Sequence, residues 1–163
     1  MPTGTCICGA IKIAYTGSPT YIALCHCNDD RKMSNVATYQ VPEEAFTLAA
    51  GEPRVYTMVS DFGREIRSHF CATCGTTLYR TGGTPNVKGM IGIRAGVLDD
   101  QSILDESPKI EVFVERRPKW MGKIEGAVQL NAKYEIVDEG GRESRELTWV
   151  VSRSSQSRPD DEL

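Results

Sequence analysis

Apolar and polar positions alternate along this chain in short runs, and no long stretch repeats at helical spacing. Ile11, Ile13 and Tyr15 mark a first strand, closed by the turn Gly17-Ser18-Pro19. Tyr21–Leu24 leads an extended segment into Cys25-His26-Cys27, and Asn28-Asp29-Asp30 is turn or helix-cap chemistry ahead of a short helix over Asp30–Val36. Thr38–Val41 reads as a strand, and Pro42 opens a helical turn ending at Phe46. Phe46–Leu48 and Arg54–Met58 read as strands around the turn Gly51-Glu52-Pro53, and Asp61-Phe62-Gly63 is another turn. Glu65–Phe70 alternates and delivers the chain into Cys71. Thr76–Arg80 is a strand before the loop Thr81–Pro85, and Met90–Leu98 is a buried strand ended by Asp99-Asp100. Lys109–Val114 is a further strand; Lys133–Val137 and Glu146–Val151 form a hairpin about Glu139–Arg142. The polar tail Ser152–Leu163 reads as disordered. Many short strands without a long amphipathic helix predict a mainly β domain built from two or more small sheets.

At 163 residues the chain fits one domain, or one domain with a tail, and can bury a core without disulfides. A formal charge of −3 argues against a nucleic-acid binder. No apolar run reaches the ~18 to 20 residues of a membrane helix, and the N-terminus shows no basic-then-apolar leader. A soluble cytoplasmic protein with a small-molecule substrate is expected. The terminal Asp160-Asp161-Glu162-Leu163 resembles a reticulum-retention address, which has no meaning without an export signal. Arg116-Arg117-Pro118-Lys119 reads as a solvated strand end, and Trp120 as a core or lid residue.

Chemistry enters with the cysteines. All six fall in close pairs, 6/8, 25/27 and 71/74. Neighbours at i and i+2 bridge poorly, so paired thiols in a reducing compartment point to metal. Cys71-Ala72-Thr73-Cys74-Gly75 is a tight turn that aims two sulfurs at one centre, and Cys6 and Cys8, on one face of an extended segment, supply the other half. Four thiolates make a closed, structural zinc site. Cys25 and Cys27 need a third donor, and Asp30 stands where it can supply one. Two thiolates and a carboxylate leave one position open, as catalytic zinc requires; the alternative is a pair of free thiols without metal. His26 faces away from the two sulfurs and reads as a packed or hydrogen-bonded residue.

Several of these motifs occur together in one order: Gly4-Thr5-Cys6-Ile7-Cys8-Gly9, Cys25-His26-Cys27 with Arg31-Lys32, and Gly51-Glu52-Pro53 with Tyr56. Phe70-Cys71-Ala72-Thr73-Cys74-Gly75-Thr76, Val97-Leu98-Asp99-Asp100, and Pro118 with Trp120 continue the series. In them the chain resembles the glutathione-dependent formaldehyde-activating enzyme family, which includes centromere protein V. The resemblance implies a tent-like fold of several small antiparallel sheets with few short helices and two zinc ions. It would place structural zinc on Cys6, Cys8, Cys71 and Cys74, and catalytic zinc on Cys25, Cys27 and the position of Asp30, where the family carries a cysteine. It also departs from the family at Asn35, which stands in place of a glycine. The implied chemistry is a carbon–sulfur lyase reaction, glutathione sulfur adding to formaldehyde or leaving it, with Arg31 and Lys32 meeting glutathione carboxylates. The implied organisation is a zinc domain over 1–132, a hairpin extension over 133–152 and a tail over 153–163. Two other readings stand beside it. One is a metal-free tailoring enzyme in which Asp30, its pKa raised, is an acid or base. The other is a zinc-stabilised, non-catalytic binding module with an exposed apolar patch.

Overall fold

A computed structural model describes residues 1–33, 37–60, 63–83 and 88–138. The alternating runs form strands β1 (Thr3–Thr5), β2 (Lys12–Tyr15), β3 (Tyr21–Cys25), β4 (Thr38–Pro42), β5 (Phe46–Ala50) and β6 (Arg54–Val59). They continue as β7 (Glu65–Phe70), β8 (Thr77–Gly82), β9 (Met90–Arg94), β10 (Ile110–Val112), β11 (Val128–Leu130) and β12 (Ile136–Asp138). The α-helix among the described residues is α1 (Asn28–Lys32), and short 3-10 turns fill several connections. The described chain is therefore mainly β, with few short helices. No described helix is long and apolar enough to cross a membrane.

The sheets differ from the several small antiparallel ones expected. One has three strands in the order β1-β2-β5, and the other has nine, in the order β12-β11-β10-β3-β4-β9-β8-β7-β6. The larger sheet is mixed, because β10 enters between β3 and β11 and runs parallel to both. Strands in such a position are covered on both faces and read as continuous apolar runs. In β3, Ile22 joins one core with Ile13, Tyr39, Leu78 and Ile93, while its neighbour Ala23 joins a second with Ile110, Val112 and Val128. Fully burying a residue such as Ile13 or Leu78 contributes about 1.5 to 3 kcal/mol.

Several element ends moved for physical reasons. The strand expected to Leu98 stops at Arg94, because the chain turns into a 3-10 segment over Ala95–Val97. The strand expected to Val114 stops at Val112, where Phe113 takes a left-handed φ of 59°. β5 and β6 flank Gly51-Glu52-Pro53 but belong to different sheets. Gly51 has φ +78°, and a Cβ there would lie 2.2 Å from the Ala10 carbonyl oxygen, so the corner requires glycine. Trp120 is 81% exposed and is no core residue. β12 pairs with β11, while the hairpin partner expected over Glu146–Val151 lies outside the described residues. The tail, Asn35, Asp61-Phe62, Thr84-Pro85 and the end of the expected helix at 34–36 also lie outside them.

Candidate metal centres and the cleft beside one of them

The first centre joins two loops. Cys6 and Cys8 meet through a turn after β1 and not along a strand: the Gly9 N–H bonds the Cys6 carbonyl at 2.8 Å, and Gly9 has φ +77°. Cys71 and Cys74 sit in the turn between β7 and β8, closed by the Gly75 N–H on the Cys71 carbonyl at 2.9 Å. The Ile7 N–H reaches the Thr76 hydroxyl at 3.4 Å and ties the two loops together. One ligand atom from each of the four cysteines lies within 4.8 Å of the others. Cys8 Sγ stands 3.6 Å from both Cys6 Sγ and Cys71 Sγ. A tetrahedron with arms of ~2.3 Å has edges of about 3.8 Å, whereas a disulfide is about 2.05 Å long. All six cysteines are free, and the four-sulfur set fits a tetrahedral metal.

The titration of these sulfurs supports that fit. The Thr76 hydroxyl and N–H, with the Cys8 N–H, pull the Cys74 thiol down to about 5. The Ala10 N–H favours the Cys8 thiolate, yet the Cys6, Cys71 and Cys74 sulfurs push that thiol up to about 12. Burial and the Cys74 sulfur oppose the Cys6 thiolate, but the Ile11 N–H, 3.3 Å from Sγ, and the Cys8 and Cys71 sulfurs lower its pKa. One member of the cluster ionises easily at the expense of another. Four thiolates at this spacing coexist only around a cation.

The second centre has a different donor set. Cys25 ends β3, and Cys27 is the N-cap of α1, its sulfur accepting the Asp30 N–H at 3.4 Å. This local geometry folds Asp30 back, so the Cys27 thiol donates to Asp30 Oδ2 at 3.1 Å. Ligand atoms of Cys25, Cys27 and Asp30 all lie within 4.8 Å of one another. Bonds of about 2.3 and 2.0 Å at a tetrahedral angle would set sulfur and oxygen about 3.5 Å apart. The three donors can therefore hold a metal with a small relaxation.

Asp30 is not a lone carboxylate. Its Oδ1 accepts from Arg94 Nη1 at 2.6 Å and from Arg80 Nη1 at 3.3 Å. Burial disfavours the Asp30 charge, but Arg94, then Arg80 and the Cys27 thiol, hold the carboxyl below its usual range. That is the reverse of the raised pKa expected for a metal-free acid. Cys25 moves the other way: the Cys27 sulfur, burial and the Asp30 charge push its thiol well above the usual value.

These groups line a cleft of about 170 Å³. Cys25, Cys27, Asp30, Arg80 and Arg94 form part of its wall, with Phe113 and Tyr134 in another part. The two aromatic rings meet edge to face at 6.1 Å, and both residues have positive φ, 59° and 61°. Arg31 and Lys32 are exposed, and neither lines the cleft. His26 turns away from the sulfurs, as its place between them predicted. It is fully buried, with Nε2 2.6 Å from Glu111 Oε1. Arg117 donates to the same carboxylate from Nε at 2.7 Å and from Nη2 at 3.2 Å, and to Gln129 as well. The basic run therefore contains a structural ion pair and is more than a solvated strand end.

Arg80, Arg94 and Glu111 were not read as special from the sequence. A signal existed for two of them. Arg94 ends a strand buried at every position, and Glu111 is the middle of another. A charge inside an apolar strand must find a partner there.

The family described as glutathione-dependent formaldehyde-activating enzyme matches residues 1–116. No curated protein matches the chain. A Rhodobacter sphaeroides protein of known crystal structure superposes with a TM-score of 0.51 at 19% identity, covering 64% of this chain and 95% of that one. That likeness shows a shared fold.

Proposed function

Because the chain belongs to the glutathione-dependent formaldehyde-activating enzyme family, we propose that it is a cytoplasmic zinc enzyme of carbon–sulfur lyase type. It acts in the Cys25–Cys27–Asp30 cleft on thiol adducts, glutathione's among them, of formaldehyde or another electrophile. The observation that carries this reading is the convergence of two sulfurs and a carboxylate within 4.8 Å on the wall of a cleft. Cys6, Cys8, Cys71 and Cys74 hold a separate, structural zinc in the domain that runs from 1 to 132.

Zinc in the cleft would favour the thiolate form of an incoming thiol and polarise a carbonyl. The chain's own residues prepare the place. Arg94 and Arg80 hold Asp30 through Oδ1 and leave Oδ2 toward Cys27. The buried His26–Glu111 contact and the His26 N–H on the Val112 carbonyl, 2.9 Å, fix the loop that carries both cysteines. In adduct formation the thiol gives up its proton, its sulfur bonds the carbonyl carbon, and the carbonyl oxygen gains a proton. Breakdown is the reverse. Arg31 and Lys32, beside Asp30 on the exposed side of α1, are outer contacts for glutathione carboxylates.

A second reading is favoured by one observation: two arginines already neutralise Asp30. In that reading the cysteine pair works without metal, and Asp30, held ionised, is a positioning group and a weak base. Elemental analysis of protein purified without chelator, beside a Cys25→Ser variant, separates the two. Two zinc ions in the native chain and one in the variant support the lyase reading, and formation of the glutathione–formaldehyde adduct then tests the reaction. One ion in both proteins removes it.

A further inference from the structure

The cleft contains more positive charge than its own carboxylate matches at contact distance. Arg80 and Arg94 both donate to one oxygen of Asp30. Asp29 also lines the cleft, but it acts on Arg80 only at longer range. Arg80 is otherwise used up: its Nε donates to Ser68 Oγ at 3.0 Å, and its Nη2 lies 3.6 Å from Met33 Sδ. Arg94 is not. Its side chain is 4% exposed, and Nη1 carries its bonds, to Asp30 and to Thr38 Oγ1 at 3.1 Å. Nε and Nη2 are buried and have no hydrogen-bond partner among the described residues. Those two atoms form the side-on edge of the guanidinium, the edge that pairs with two oxygens of one carboxylate. A buried donor pair left unmatched is costly and calls for an acceptor.

We propose that Arg94, which lines the cleft with Cys25 and Cys27, anchors a carboxylate of the molecule that enters it. The preferred substrate is then a thiol, or thiol adduct, that carries a carboxylate close to its sulfur. This rests on the cleft being the substrate site of the reading above. The free edge is sealed from water in the present arrangement, so the carboxylate reaches it through a swing of the Arg94 side chain. A monoanion suits the site, because Asp30 leaves one positive charge of the pair unmatched. Phe113 and Tyr134 give the same cleft an apolar wall for the carbon skeleton.

The test uses three small probes on the protein purified without chelator: mercaptoacetate, the neutral thiol 2-mercaptoethanol, and acetate, each titrated by calorimetry or NMR. Mercaptoacetate is expected to bind about ten- to a hundredfold more tightly than 2-mercaptoethanol, the worth of a charged hydrogen-bonded pair. Arg94→Gln should erase that preference, and Arg94→Lys should reduce it by losing the two-pronged edge. Equal affinity for the two thiols in the native protein overturns the proposal, and this comparison needs no variant to fold. A preference that survives in folded Arg94→Gln also overturns it. Acetate binding as tightly as mercaptoacetate, with both lost in Arg94→Gln, would keep the carboxylate anchor and sink the thiol-adduct reading instead.

Discussion

The two cysteine clusters use the same donor chemistry under opposite electrostatic conditions. Around Cys6, Cys8, Cys71 and Cys74 there is no carboxylate or guanidinium among the groups that shift the sulfurs; thiols, Thr76 and backbone N–H groups do so. Repulsion within that set is relieved by protonating some of the thiols or by a bound cation. Around Cys25 and Cys27, Asp30 is already matched by Arg80 and Arg94, and Cys25 is held as a thiol. The first cluster can carry four thiolates together only around a metal. The second is stable in charge without one, so it can gain, lose or exchange what it binds. The first also ties loops separated by half of the described strands, β2 to β7, while the second is built by one strand end and one helix turn. A tie between distant loops is structural, and a local set beside a cleft is suited to chemistry.

The sharpest way to break this comparison is Cys71→Ser. Structural zinc contributes about 10 to 16 kcal/mol of apparent binding energy in zinc-finger peptides, as much as the whole stability of a domain, roughly 5 to 15 kcal/mol. The variant should lose its cooperative melt by circular dichroism, and a native-like transition would refute the structural role.

Glu111→Gln probes what supports the cleft. It leaves Arg117 with a weakened partner in a buried network, and breaking such a pair costs about 3 to 5 kcal/mol in urea unfolding. Burial opposes the Glu111 charge, but His26, Arg117, Gln129 and the Ile124 N–H hold its carboxyl below the usual range. A depressed folded pKa means the stabilisation is complete above the unfolded value, about 4.3, and is lost as pH falls through the folded one. Stability of the native protein should therefore decline below about pH 4.3, and the variant should decline less steeply there. Parallel pH profiles would show that Glu111 does not contribute that slope.

A smaller effect is expected at the turn of the first cluster. Gly75 has φ +74° with open space around its missing Cβ, so Gly75→Ala meets strain and no clash. A loss of about 1 to 3 kcal/mol is expected, with the zinc content unchanged. Zinc lost along with stability would mean that the turn's backbone also sets the ligand geometry. The smallest change in stability belongs to Cys25→Ser, about 1 kcal/mol or less, with one zinc per chain lost. A collapse as complete as that of Cys71→Ser would erase the distinction between the clusters.

The local pattern carried much of this. Spacing alone paired the cysteines, placed His26 opposite its neighbours, and marked most strands within a few residues, because alternation and tight turns are set by neighbours in sequence. It could not show that β10 runs parallel between β3 and β11, since a three-residue strand pairs equally well in either direction until the rest of the sheet is in place. It also could not show Arg80 and Arg94 meeting at Asp30. Those arginines come from adjacent strands, β8 and β9, and Asp30 from a helix turn that only the folded sheet brings over them. The sequence by itself determined which residues can bind a metal and the short elements that carry them. Tertiary structure decided which charges those ligands face, because a Coulomb interaction depends on distance in space and on burial, and neither is written along the chain.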